Sequence, residues 1–156
     1  MSYVFDSGPL SWLFKHYYRK TFPSLWKRFD DLVDNDSIVS TREVFREVTD
    51  SSIDPLVQWA NHNKRLFAMP TAAEGAFVAK IYAVAHFQQN IELQKVLKGG
   101  KVADPFIIAK AAVDGCSVVT TEKLKPHAAK IPNICEHFKV PCLTLQEFME
   151  EQGWTF

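Results

Sequence analysis

"VADPFIIAKAAVDGCSVVTTE", residues 102–122, decides the fold. Asp104 followed by Pro105 is a helix-start signal, with Asp104 as the expected N-cap and Pro105 as the first helical residue. The apolar run that follows ends at Gly115, a helix-stop residue. "SVVT" is then short, β-branched and apolar without alternation, the pattern of a strand covered on both faces. A capped helix running straight into such a strand is one unit of an α/β protein.

The rest of the chain repeats this grammar. "SYVF" (2–5), "SIVS" (37–40), "RLFAMP" (65–70) and "CLTL" (142–145) are further strand candidates, the last expected to be buried. "DSGP" (6–9) is a turn signal. Helical spacing of apolar residues predicts helices over 10–22, with Pro23 as its breaker, and over 24–36, 41–48, 54–63 and 145–153. The longest helical pattern covers 71–90, with Phe77, Val78, Ile81, Val84 and Ala85 in step and Ile91 continuing the stripe. "LKGGK" (97–101) breaks the chain. No repeat, low-complexity tract or linker interrupts the 156 residues, so one domain over 1–156 is expected. Its predicted architecture is a three-layer α/β/α sandwich with a mainly parallel sheet of four or five strands.

Composition narrows the function. Eighteen basic and eighteen acidic residues give zero net charge, which excludes a simple polybasic mode of nucleic-acid binding while allowing a local patch. Three Cys in no metal-ligand spacing are expected to be free thiols of a reducing compartment. No stretch is apolar enough to span a membrane, and "MSYVFDSGPL" has no basic n-region, so a cytoplasmic protein is expected. Five His show no paired spacing for zinc, and Walker and Rossmann glycine patterns are absent.

In parallel sheets, ligands bind beyond the carboxyl ends of the strands. Asp6 follows "SYVF" and Glu122 follows "SVVT" by two residues; Asp104 opens a helix, and Glu47 lies on the helix after "SIVS". Each also has an ordinary reading: an Asx-turn for Asp6, a cap for Asp104, solvated surface charge for Glu47 and Glu122. As a set they would repel one another at one sheet edge unless a cation intervened, and Mg²⁺ or Mn²⁺ prefers carboxylate and water oxygens.

The order "YVFDSGPL", "STREVFREV", "ADPFIIAKAAVDG", "VVTTE" resembles the PIN-domain superfamily of ribonucleases, and in outline small VapC-type toxins. The resemblance spans nearly the whole chain and is most specific over 103–122. It places Asp6, Glu47, Asp104 and Glu122 in the four acidic positions as catalytic and metal-binding residues, with Mg²⁺ or Mn²⁺ as cofactor. Glu43, one turn before Glu47 on the same face, competes for the second position. Glu122 departs from the family pattern, where the last acid is usually Asp. Ser7 and Thr120 are candidates for hydrogen bonds behind the metal shell, and Lys123, Lys125 and Lys130 for RNA contact.

The implied function is metal-dependent hydrolysis of RNA by the toxin of a toxin–antitoxin pair, with a cognate antitoxin protein and a homodimer as partners and no membrane. The alternative is a catalytically silent PIN-like module that binds RNA or protein. A response-regulator-like domain would want paired acids after the first strand and a later Lys in register, a set this sequence lacks. Lys15, His16, Arg19, Lys20, Lys27 and Arg28 read either as phosphate contacts or as the solvated face of two helices, and the four Trp as packing residues rather than base-stacking platforms.

Overall fold

The computed structural model describes residues 1–97 and 102–156; the "LKGGK" break falls largely outside them. Five strands form one parallel sheet: β1 (Tyr3–Phe5), β2 (Ile38–Thr41), β3 (Phe67–Ala68), β4 (Ser117–Val119) and β5 (Cys142–Leu143), in the order β3-β2-β1-β4-β5. The sheet is the predicted one, flanked by helices. From β1 the chain winds outward through β2 to β3, then returns to β4 on the other side of β1. The topological switch point therefore lies between β1 and β4, where an α/β sheet opens a crevice at its carboxyl edge.

The helices are α1 (Ser7–His16), α2 (Pro23–Asp34), α3 (Arg42–Thr49), α4 (Asp54–His62), α5 (Ala72–Ala83), α6 (Gln88–Leu97), α7 (Asp104–Asp114), α8 (Ile131–Phe138) and α9 (Leu145–Glu151). Local chemistry explains most boundaries. Pro23 opens α2, where a missing N–H costs nothing. Thr41 caps α3 by accepting from Val44 N at 3.2 Å, and Gly115 ends α7 in the left-handed region, φ 68°.

Six expectations change. The helix expected over 10–22 ends at His16, where the Tyr17 N–H closes onto Leu13 O, so Pro23 starts the next helix rather than breaking this one. "DSGP" does not turn the chain away: Ser7, Gly8 and Pro9 form the first turn of α1, a position that tolerates proline. The pattern over 71–90 is not one helix, because Val84 turns to an extended ψ of 107° and a 3₁₀ turn (Ala85–Phe87) precedes α6. That break buries Phe87 and exposes Ala85. "RLFAMP" gives only a two-residue strand after a 3₁₀ turn. The fifth strand is half-buried rather than buried, because it is a sheet edge. Helix α8, in "IPNICEHF", forms where the sequence pattern predicts no element.

The β1 residues Tyr3, Val4 and Phe5 are all buried. Phe148 of α9 packs edge-on against Tyr3 and Phe5, with ring centroids 4.8 and 5.0 Å apart. The Tyr3 hydroxyl donates to Glu151 at 2.9 Å and accepts from Gln152 at 2.9 Å, which fastens the last helix to the first strand. Phe148→Ala is expected to lower unfolding free energy by about 3–5 kcal/mol with little change in m-value, measured by urea denaturation.

Candidate active site

Parallel pairing sets Phe5 opposite Val119. Asp6 N continues the ladder onto Val119 O at 3.0 Å, so Asp6 leaves β1 beside Thr120 as it leaves β4. Thr120 Oγ1 donates to Asp6 Oδ2 at 2.9 Å, and Ser7 N donates to Oδ1 at 2.8 Å. Asp6 thus caps α1 while only 6% exposed. Ser7 serves it through its backbone and Thr120 through its side chain. The same Thr120 oxygen accepts from Glu122 N at 3.2 Å, tying both acids to one hydroxyl.

Glycine gives room next to this site. A Cβ on Gly8 would collide with Thr121 Oγ1, so any other residue there would force the Thr121 side chain to shift. The signal in the sequence is the Gly two positions after Asp6.

Asp104 does not hold the cap position. Ala103 does, Asp104 is the first residue of α7, and Pro105 the second. The Asp104 carboxylate is 1% exposed, and its Oδ2 accepts from Asn90 Nδ2 at 2.9 Å. Gln94, one turn along α6, donates in turn to Asn90 Oδ1 at 3.3 Å. Asn90 and Gln94 are both buried and lie in a segment that carries no motif. Their signal in the sequence is two amides four residues apart on one helix face.

Glu122 is a hub. Its Oε2 accepts from Ile131 N at 2.9 Å, satisfying an orphan donor at the start of α8. With Asp104, Asn90, Gln94 and Lys130 it lines a cavity of about 300 Å³. Among the described residues, Asp6 and Glu47 lie outside that wall but not outside its field. Asp6 is pushed up to about 6, first by burial, then by the charges of Glu47 and Glu122, against the hydrogen bonds from Thr120 and Ser7. Glu43 is not among these influences: its Oε2 pairs with Arg42 Nε at 3.1 Å, and its buried Oε1 has no hydrogen-bond donor among the described residues. Of the two helical glutamates, Glu47 is the one electrostatically joined to Asp6. Asp104 and Glu122 in turn both act on the Cys135 thiol, which is raised first by its hydrogen bond with Cys142 and by burial.

Glu47 and Glu122 thus act on Asp6, and Glu122 shares a cavity with Asp104, yet the four acids do not form a ready-made cage. Among the described residues no three His, Cys, Asp or Glu side chains are grouped so as to hold a metal ion. The donor chemistry is that of a hard cation all the same: carboxylates only, mutually repelling. Mg²⁺ is commonly held by one or two carboxylates with several retained waters, and such a site needs no closed cage.

The lysine candidates separate. Lys130 lines the Asp104–Glu122 cavity, Lys123 faces a neighbouring hollow, and Lys125 contributes its carbonyl, which accepts from Asn133 at 2.6 Å. In the earlier basic stretch Arg19 pairs with Asp30 at 2.9 Å, Lys27 with Asp31 at 3.2 Å, and Arg28 lies over Phe156. Trp26 and Trp59 are buried packing residues as expected, but Trp12 is 51% exposed.

Residues 3–156 match the family model described as "Domain of unknown function (DUF4411)". This chain belongs to that family. No curated protein matches the DUF4411 chain. Among solved structures, the DUF4411 fold is similar to a chain of VapBC2 from Rickettsia felis bound to a DNA fragment from its promoter. The TM-score is 0.50 at 13% identity, over 92% of this chain and 98% of that one. The likeness agrees with the PIN-like architecture that the order of motifs implies. Among the described residues no helix of this DUF4411 chain is long and apolar enough to cross a membrane.

The raised Asp6 carries a sign. A carboxyl whose folded value lies above its unfolded one binds its proton more tightly when folded. Its contribution is complete below about 4 and is lost as pH rises through about 6. In metal-free buffer, Asp6→Asn is expected to melt higher than wild type at pH 7, with the difference shrinking toward pH 4. A gap in melting temperature that does not vary with pH would contradict this.

Proposed function

We propose that this chain is a divalent-metal-dependent endoribonuclease, the toxin of a toxin–antitoxin pair. The observation that carries the reading is the electrostatic coupling of buried Asp6 to Glu47 and Glu122 at the switch point of a PIN-like sheet. Keeping like charges together there costs stability, and a bound cation would offset that cost. Asp6, Glu47, Asp104 and Glu122 would hold Mg²⁺ or Mn²⁺. The ion would polarise a phosphodiester, assist deprotonation of a bound water and stabilise charge on the leaving oxygen.

The chain's own residues do the rest. Thr120 and Ser7 fix both oxygens of Asp6. Asn90, itself held by Gln94, fixes Asp104. Lys130 gives the cavity wall a cation, the complement of a phosphate. The neighbour of similar fold is a VapBC2 assembly, which supports a protein antitoxin as the partner here.

In a Mg²⁺- or Mn²⁺-dependent assay on a mixed RNA panel, Asp104→Asn is expected to abolish cleavage while the protein still melts cooperatively. Asn90→Ala should lower the rate about 10–100-fold, as loss of a ligand's supporting hydrogen bond does. Glu47→Gln should inactivate, whereas Glu43→Gln should not. Equal rates for wild type and Asp104→Asn would refute the catalytic assignment. A wild type that binds RNA without cutting it would establish the binding-module alternative.

Strong expression without a partner is expected to arrest growth, and expression of Asp104→Asn to leave it normal. Colony counts and culture density read this directly, and unaltered growth with active wild-type protein would remove the toxin role.

A further inference from the structure

Two hollows on the α1 side of the molecule are left over from the site. The first, about 590 Å³, is walled by Trp12, Tyr17, Thr121 and Lys123, so it begins beside Glu122. The second, about 500 Å³, shares Tyr17 as its wall and continues to Tyr18, Arg19 and Lys20 just after α1. A smaller hollow, lined also by Glu147, shares Lys123 and Thr144 with the first and Glu122 with the acidic cavity. The path from Asp104 to Lys20 is thus a chain of hollows with shared walls.

Its chemistry is uneven in an informative way. The whole protein is neutral, yet among the described residues no Asp or Glu lines either of the two larger hollows. Lys123 and Lys20 are exposed cations for which no ion pair is found among the described residues. Aromatic faces alternate with them: Trp12 is 51% exposed and Tyr18 64%. The Trp12 ring leans on His16 one turn on, with centroids 4.2 Å apart. The end of α1 is also held firmly. Trp26 Nε1 donates to Tyr17 O at 2.6 Å, and Arg19 lies 4.3 Å over the Trp26 ring while pairing with Asp30.

Exposed π faces interleaved with unpaired cations, in two hollows that no described Asp or Glu lines, complement an anionic chain with free bases. A duplex keeps its bases stacked inside and cannot use such faces. We propose that single-stranded RNA lies along this groove, its bases stacking on Trp12 and Tyr18 and its phosphates meeting Lys123 and Lys20, with one end delivered to the acidic cavity. The choice of RNA rests on the nuclease reading. Binding is therefore measured without metal, so that failure of one reading is distinguishable from failure of the other.

The experiment is fluorescence anisotropy of the full chain with a labelled single-stranded RNA of about 12 nucleotides in EDTA, over a salt series. Trp12→Ala is expected to weaken binding ~10-fold. Lys20→Gln should reduce the slope of log K against log salt by about 0.7. Val113→Ala, an exposed apolar change on α7 away from the groove, should bind as wild type, and an RNA duplex of the same sequence should bind at least about 10-fold more weakly than the single strand. Melting curves confirm that each variant is folded.

Unchanged binding by Trp12→Ala, or duplex bound as well as single strand, overturns the proposal. So does protection of Trp12 by a protein partner on a chain that binds no RNA. A protein that cuts RNA yet shows no Trp12 dependence refutes the groove and leaves the nuclease reading. One that binds with this dependence and never cuts does the reverse.

Discussion

Parallel pairing of β1 with β4 is the constraint on which the remainder of the site depends. It has only three positions, Tyr3 with Ser117 through Phe5 with Val119, and every residue of β1 in it is buried. Because the register ends there, Asp6 and Thr120 emerge side by side from a dry sheet. Their hydrogen bond is set by the ladder rather than by loop flexibility. Burial then raises the cost of charging Asp6, and the nearby glutamates raise it again. The fold thus tolerates an unfavourable carboxylate at its centre, a local conflict of the kind found where function overrides stability.

The loop between β4 and α8 is organised by Glu122. One carboxylate oxygen closes the start of α8 through Ile131 N, while the residue's charge acts on Asp6 and its side chain lines the Asp104 cavity. One side chain thus serves both a helix terminus and the acidic cavity. The consequence is coupling, because any change at Glu122 alters loop anchoring and site charge together.

What the sequence made legible was what local chemistry determines. The strands β1, β2 and β4 are short apolar runs, and α7 has a start signal and a Gly stop, so sheet type and the acids at its edge could be read directly. Less visible were features decided by tertiary packing. Val84 carries no breaker signal, yet its extended conformation splits a periodic helix so that Phe87 can enter the core. The cap position of α7 falls one residue earlier than Asp104, which frees that carboxylate for Asn90. Asn90 itself could not be anticipated, because its partner lies fourteen residues away in the sequence. Trp12 reads as a core residue by type and is exposed by its place on α1.

The sheet ends at both sides in strands of two residues, β3 and β5. An extended segment from another molecule would find too few free amide and carbonyl groups there to continue the ladder, which protects the chain from edge-to-edge aggregation. The same brevity restricts how this protein can be recognised: strand addition is closed as a mode of assembly, and a second copy or a regulatory protein must engage helices and loops. Side-chain complementarity, rather than backbone pairing, is left to set the specificity of any such complex.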